Sequence, residues 1–494
     1  MSGAAPARTL RGRLSVLALA AACVAAGTLA GGGEVAAGPV DARPNVVVIL
    51  TDDQDASSLR VMEQTKSLLM RRGVKFSQHY ATFPLCCPSR ASYLTGQFSH
   101  NHGVRGNHLP DGGFLKFDDS ATSAVSLSAA GYRTAWIGKF LNGYPNYARA
   151  NPTDIPDGFQ RWFAGLTGRM FNWYVNDDGT IRQIDRSERN YQTDFYAREG
   201  VNFIRESLGS GQPFFLTLAP LAPHGEPRRG LTPNPRPAPR HKGAFADENL
   251  PRGLSFNEVD ISDKPSFISS VPRLDAAARL RVRDRTRDRL ASLLAVDDMV
   301  ADIVAELHES GALRNTYIFF TSDNGYLLGE HRLVGKSHLY EESARVPMVI
   351  RGPGLPDGSK HEAPTANIDL MPTILELAQA TPLAPVDGVS MLPPALDPGA
   401  DTGRVVLLEN RRSAGVHDGR YVYSEHDPDD DGRTDEYELY DLEADPRELE
   451  NLHVVDEPAV RPEVLAERPE LLAVRNALAR RLAELRDCQG SACH

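Results

Sequence analysis

Cysteine is scarce, with five in 494 residues. Cys23 stands alone, Cys86 and Cys87 are adjacent, and Cys488 and Cys493 close a short C-terminal loop. None has metal-ligand spacing, and no His/Cys cluster competes for zinc. An excess of positive charge is also missing. The net charge of −11 argues against a general nucleic-acid binder, although a local cationic pocket is enough for an anionic substrate. Beyond the run Leu14–Ala30 no long apolar stretch occurs, so no stable membrane span is expected in the mature chain. The remaining composition, 41% hydrophobic and 24% charged, is that of a globular protein. The length suffices for a large core and a smaller second domain.

Arg8, Arg11 and Arg13 precede the run Leu14–Ala30, and small residues follow to about Ala42. This reads as an export signal and short leader over 1–42. An uncleaved anchor is the alternative, but the run is alanine-rich and barely long enough. Lipid attachment at Cys23 fits poorly, because Ala20 stands where leucine is usual. In an exported chain Cys488 and Cys493 are expected to form a structural disulfide.

Two apolar runs end in oxygen ligands. Asn45–Leu50 reads as a strand buried on both faces and leads into Thr51-Asp52-Asp53-Gln54-Asp55. Thr316–Thr321 repeats the pattern and leads into Ser322-Asp323-Asn324-Gly325. Sites of α/β sheets sit at such carboxyl ends. Asp52, Asp53, Asp323 and Asn324 make an all-oxygen set suited to calcium or magnesium. A solvated acidic loop is the plainer reading of Asp52 and Asp53 alone.

Between these runs lies Leu85-Cys86-Cys87-Pro88-Ser89-Arg90-Ala91-Ser92-Tyr93-Leu94-Thr95-Gly96. Pro88 suits a first helical turn. Cys86 then sits at the helix start, where free N–H groups and the dipole favour an anion, with Arg90 about one turn away. The pattern reads as a nucleophile beside an anion cradle, or more plainly as a helix start with a free or disulfide-bonded pair. His102 lies in a short histidine pair with His100. Lys139 follows the strand candidate Tyr132–Ile137, and His224 follows Pro213–Leu218. Phe171, Trp173 and Tyr174 fit core packing or a glycan-binding mouth. The loop Glu226–Asp260, with Arg228, Arg229, Arg236 and Arg240, is read as a solvated basic loop or a face for an anionic glycan.

Arg289–Leu307 has the spacing of an amphipathic helix with Asp297 and Asp298 exposed. Proline-rich 381–400 reads as a linker. Strands near 404–409, 420–424 and 437–442 and a helix over Glu470–Leu485 follow. Asp427–Glu438 satisfies a calcium-loop pattern, but strand-like flanks favour an acidic hairpin turn.

Cys86-Cys87-Pro88-Ser89-Arg90, continued by Tyr93-Leu94-Thr95-Gly96, resembles the signature of the type I sulfatases. Gly138-Lys139-Phe140-Leu141-Asn142 and the final Cys-Gln-Gly-Ser-Ala-Cys resemble the N-acetylglucosamine-6-sulfatase branch. Leu141 departs from the histidine many members carry there. The resemblance implies an α/β fold of the alkaline phosphatase superfamily. That fold is a large mixed sheet sandwiched by helices (43–380), then a smaller C-terminal α+β domain of antiparallel sheet plus helix (401–494). It implies a formylglycine made from Cys86 by a formylglycine-generating enzyme. One divalent cation, calcium ahead of magnesium, would be held by Asp52, Asp53, Cys86, Asp323 and Asn324. Cys86, Arg90, Lys139, His224 and Lys336 would act on a sulfate ester of a sulfated carbohydrate. His102, Asn142 and His331 are weaker substrate contacts. A phosphoester hydrolase on the same scaffold and a non-enzymatic glycan binder remain as alternatives.

Overall fold

A computed structural model describes residues 42–145, 153–226, 233–250 and 253–494. The leader, Cys23, Arg228 and Arg229 lie outside the described residues. Among those described, no helix is long and apolar enough to cross a membrane.

Ten strands form the main sheet. In chain order they are β1 (Asn45–Thr51), β2 (Val74–Phe76), β3 (Arg133–Gly138), β4 (Arg161–Gly165) and β5 (Trp173–Asp177). Then come β6 (Thr180–Ile184), β7 (Phe214–Ala219), β8 (Thr316–Ser322), β9 (Met348–Arg351) and β10 (Ser359–His361). The spatial order is β10-β2-β9-β8-β1-β7-β3-β4-β5-β6. The central run β8-β1-β7-β3-β4 is parallel, and β9, β5 and β6 bring antiparallel pairing toward the edges.

β1 is buried on both faces because both are covered. Val46, Val48 and Leu50 join one core with α1 (Cys86–Thr95) and α4 (Leu370–Ala378). Val47 and Ile49 join the opposite core with α2 (Gln192–Ser210) and α3 (Ala276–Glu309). Each fully buried Val or Ile contributes about 1.5–3 kcal/mol relative to exposure, and the non-alternating sequence is the signature of this double burial.

The helix α3 begins thirteen residues before the expected start at Arg289, since it spans Ala276–Glu309. Asp275 caps it by accepting from Ala278 N, and its first turns are too polar to show a period. Asp297 is buried rather than exposed. Its carboxylate accepts from Gln64 N at 2.8 Å and Thr65 N at 2.7 Å, capping the short helix Glu63–Leu68.

A separate four-stranded antiparallel sheet follows, with β11 (Val406–Glu409), β12 (Ser413–His417), β13 (Tyr421–His426) and β14 (Glu436–Asp441), covered by α5 (Leu471–Leu485). The 381–400 stretch is no free linker. It carries a short helix, Leu392–Leu396, and buries Met391 and Ala395 in the main core. The acidic run after Asp427 is the turn between β13 and β14, where Asp427 accepts from Asp431 N and Gly432 N. Glu438 points away to His426, Tyr340 and Tyr440, so the run does not close a calcium loop. Cys488 and Cys493 form a disulfide.

Candidate active site

Four neighbouring parallel strands deliver their carboxyl ends to one sheet edge. The β1–β8 register pairs Thr51 with Ser322, so Asp52 and Asp323 leave adjacent strands side by side. On the other flank Ile49 pairs with Leu218, which sends the chain after β7 toward His224. β3 pairs Gly138 with Ala219, and Lys139 follows at once. A Cβ at Gly138, whose φ is +131°, would lie 2.0 Å from the Ala219 carbonyl oxygen. Gly138→Ala is therefore expected to destabilise the fold by about 3 kcal/mol; denaturant unfolding of the two proteins checks it.

α1 brings Cys86 to the same edge. Leu85 is extended at its N-cap, and Gly96 ends it in the left-handed region at φ 66°. Cys86 and Cys87 are free thiols. Cys86 Sγ lies 3.4 Å from Asp52 Oδ1 and 3.8 Å from Asp53 Oδ1. Lys336 Nζ approaches that sulfur at 2.7 Å and also donates to Asp53 Oδ1. Lys139 Nζ donates to Asp52 Oδ2 at 2.6 Å.

Arg90 is fully buried, donating from Nε to Asp323 Oδ2 at 2.8 Å and from Nη1 to the Lys139 carbonyl at 2.6 Å. Its Nη2 lies 4.0 Å from Asp52 Oδ1 and makes no hydrogen bond. His224 Nε2 lies 3.7 Å from Asp53 Oδ2. Its Nδ1 lies 2.6 Å from the Gly225 carbonyl, which can only accept, so the proton is on Nδ1.

Burial alone would raise Asp52, but Lys139, His224 and Arg90 outweigh it and hold the carboxyl well below its usual range. Asp53 is also lowered, with Lys336 and His224 overcoming burial. Burial and the Asp52 charge push Asp323 up to about 6. Burial holds the Cys86 thiol far above the usual range despite Lys139 and Lys336. An unmodified thiol here is protonated and a poor nucleophile.

Two carboxylates meet the position-86 side chain and an imidazole here, a group that can hold a divalent cation. Asp52, Asp53, Cys86 and His224 each offer an atom, all within 4.8 Å of one another. Asn324 donates through Nδ2 to Asp53 Oδ1 at 2.7 Å, while its Oδ1 is buried without a partner. Turning that amide would place its oxygen among the carboxylates, an arrangement favourable only with a cation between them.

The structure thus brings Asp52, Asp53, Cys86, Arg90, Lys139, His224, Asp323, Asn324 and Lys336 together. A cleft of about 440 Å³ opens beside them, and Asn142 lines it. Leu141, at the departing position, is buried in the main core. His102 and His331 are not among the residues that line this cleft. His102 lies within hydrogen-bond reach of Ser92 Oγ through Nε2 and accepts from Val104 N through Nδ1. His331 is buried against Glu258. His100 binds Glu409 and the Cys488 carbonyl. Asp55 caps the turn after Asp53 by accepting from Ser58 N.

Two described arginines of the basic loop are paired within the fold. Arg236 pairs with Glu226, and Arg240 pairs with Asp194 and Asp298. Trp173 is core, whereas Tyr174 is exposed.

Three site residues escaped sequence reasoning. Asn107 and His108 line the cleft, and Asn107 Oδ1 accepts from Cys87 N at 3.0 Å. Arg289, on α3, donates to the Asp53 carbonyl and to the Pro223 carbonyl. It braces the Asp53 turn, where φ is +68°, and the loop before His224. Its helical spacing marked only a helix face.

The sequence pattern of the Sulfatase family matches residues 44–380. The arylsulfatase of Chlamydomonas reinhardtii is 33% identical over 509 residues, covering 91% of this chain and 75% of that protein. The N-acetylglucosamine-6-sulfatase of Homo sapiens is 35% identical over 363 residues, covering 71% of this chain and 64% of that protein. Among solved structures, BT4656 in complex with its substrate D-glucosamine-2-N,6-O-disulfate has a TM-score of 0.70 at 24% identity, covering 90% of this chain and 99% of that one. That last likeness is one of fold, a large mixed sheet with helices and a smaller C-terminal sheet. Matched along more than half its length by the family pattern, and along most of it by a curated relative, this chain belongs to the sulfatase family and is a sulfuric ester hydrolase.

Proposed function

We propose that this sulfatase removes the 6-O-sulfate of N-acetylglucosamine in sulfated glycans. It does so with a formylglycine derived from Cys86 and one divalent cation, calcium ahead of magnesium, held by Asp52, Asp53, Asp323 and Asn324. One observation carries the reading. The position-86 side chain sits at a helix N-terminus between Lys336 and Asp52, at 2.7 and 3.4 Å, beside an open cleft. Nucleophile, cations and carboxylates therefore share one point.

When present, the hydrated aldehyde supplies the attacking oxygen and the cation supplies Lewis acidity. The side chains do the rest. Lys139 and Lys336 hold sulfate oxygens once the carboxylate charge beside them is balanced. Arg90, fixed by Asp323 and the Lys139 carbonyl, offers its unbonded Nη2 to the group at position 86. His224, with its Nδ1 proton committed to Gly225, must take up a second proton at Nε2, a form that Asp52 and Asp53 favour and burial opposes. It then passes that proton to the departing sugar oxygen. Asn142 meets the sugar in the cleft.

The 6-sulfated glucosamine substrate is supported by the name of the human relative and by the disulfated glucosamine bound to the solved neighbour. Cys86 is 1% exposed, so the formylglycine-generating enzyme must reach it before α1 is covered. The arginine-led leader and the Cys488–Cys493 disulfide support export.

Sulfate release from a panel of sulfated mono- and disaccharides tests the substrate. N-acetylglucosamine 6-sulfate is expected to exceed 2-O-sulfated sugars, and aryl sulfate to exceed aryl phosphate. A preference for phosphate, or for a sulfate elsewhere on the sugar, overturns this reading. Replacing His224 by alanine is expected to lower kcat on the sugar sulfate about 10²–10³-fold. The loss on an aryl sulfate, whose leaving group needs no proton, should be much smaller. Equal losses on both substrates would remove His224 from proton transfer.

A further inference from the structure

A second cluster, outside the cleft, has the character of a metal centre. One nitrogen of His331 and one carboxylate oxygen each of Glu342 and Glu448 lie within 4.8 Å of one another. His331 is fully buried. Its Nδ1 is 2.7 Å from Glu258 Oε2, and its ring stacks on Tyr340 at 4.4 Å. With a carboxylate as partner, Nδ1 carries the proton, which leaves a lone pair on Nε2. Nε2 is buried with no hydrogen-bond partner, and so is Glu342 Oε2.

Glu448 is 1% exposed and accepts only the Glu341 backbone N–H, at 2.9 Å, among the described contacts. Arg447 approaches Glu342 Oε1 at 3.5 Å, and no lysine or arginine pairs with Glu448 among the described residues. A lone pair and two carboxylates facing one another repel unless a positive charge lies between them. An imidazolium would donate to one of the carboxylates, yet Nε2 makes no such bond.

We propose that His331, Glu342 and Glu448 bind a divalent first-row transition cation, of the zinc class, as a structural centre. One nitrogen and two carboxylate donors suit zinc better than the all-oxygen set suits it. Glu258 holds the imidazole from behind, the usual support for a histidine ligand. His331 and Glu342 flank Lys336 in the chain, and Glu448 follows β14 of the small sheet. The ion therefore staples the segment carrying Lys336 to the C-terminal sheet.

The test uses the full chain, stripped with chelator and reloaded with zinc in excess calcium, which fills the all-oxygen site. Metal content is read by mass spectrometry, and the cobalt-loaded protein is read by its visible absorption. The wild type is expected to retain one zinc per chain and to gain thermal stability from it. Glu448→Gln and Glu342→Gln are expected to lose both the zinc and the gain. Glu258→Gln should weaken zinc binding about 10–100-fold. Should Glu448→Gln fail to fold, Glu342→Gln carries the test, because that side chain is partly exposed. A wild type that retains no zinc in excess calcium, or zinc retained equally by the variants, overturns the proposal and leaves a proton shared between Glu342 and Glu448.

Discussion

Cys86→Ala is expected to lower sulfate-ester turnover by on the order of 10⁴-fold or more, equivalent to about 5 kcal/mol of transition-state stabilisation. The fold should survive, because the change only removes a buried sulfur. The pocket around it would still hold Lys139, Lys336 and Arg90, so sulfate should still bind as an inhibitor. Cys86→Ser should be nearly as inactive, since an unoxidised serine offers one hydroxyl where the proposed hydrate offers two. The buried thiol itself is no substitute nucleophile, for burial keeps it protonated. Steady-state kinetics on the sugar sulfate, with inorganic sulfate as competitor, measures both quantities. A Cys86→Ala enzyme within tenfold of wild type would remove position 86 from the chemistry.

Chelation of divalent metal is expected to reduce kcat/KM by on the order of 10³-fold, with calcium restoring it. Asp52, Asp53 and Asp323 place three carboxylates at one point. Lys139 and Lys336 lie on the first two of these. Ammonium groups engaged by aspartates are poorly placed to neutralise sulfate oxygens. Asp52→Asn should mimic chelation, and added calcium should not rescue it. Activity titrated against bound calcium, with metal content measured on the same samples, separates these outcomes. Full activity with less than about a tenth of a metal per chain would contradict the all-oxygen centre.

Much of this centre is legible in the chain because each part sits where an apolar run stops. Asn45–Leu50 and Thr316–Thr321 have no alternation, which marks strands covered on both faces, and each hands over to oxygen donors. Their adjacency was not legible, since register is set by strand partners far apart in sequence. Lys139 and His224 likewise follow strands, and the parallel order brings them to the same edge.

The failures have physical causes too. β12 (Ser-Ala-Gly-Val-His) has little β propensity of its own and exists through pairing on both sides. Asp297 looked exposed because its burial comes from another helix, whose N-terminus it caps. His331 sits in a stretch that resembles the family's site segment, yet its ring turns toward Glu258, a partner 73 residues away. Arg289 braces two backbone carbonyls of the site, and helical periodicity holds no information about that.

The most direct measurement is the mass of the tryptic peptide Phe76–Arg90 from the protein matured in an exporting host with its formylglycine-generating enzyme. It contains both Cys86 and Cys87. After alkylation the peptide is expected to carry one alkyl group, on Cys87, and position 86 should be lighter than cysteine by about 18 Da. Two alkylated cysteines in catalytically active protein would contradict the proposed chemistry.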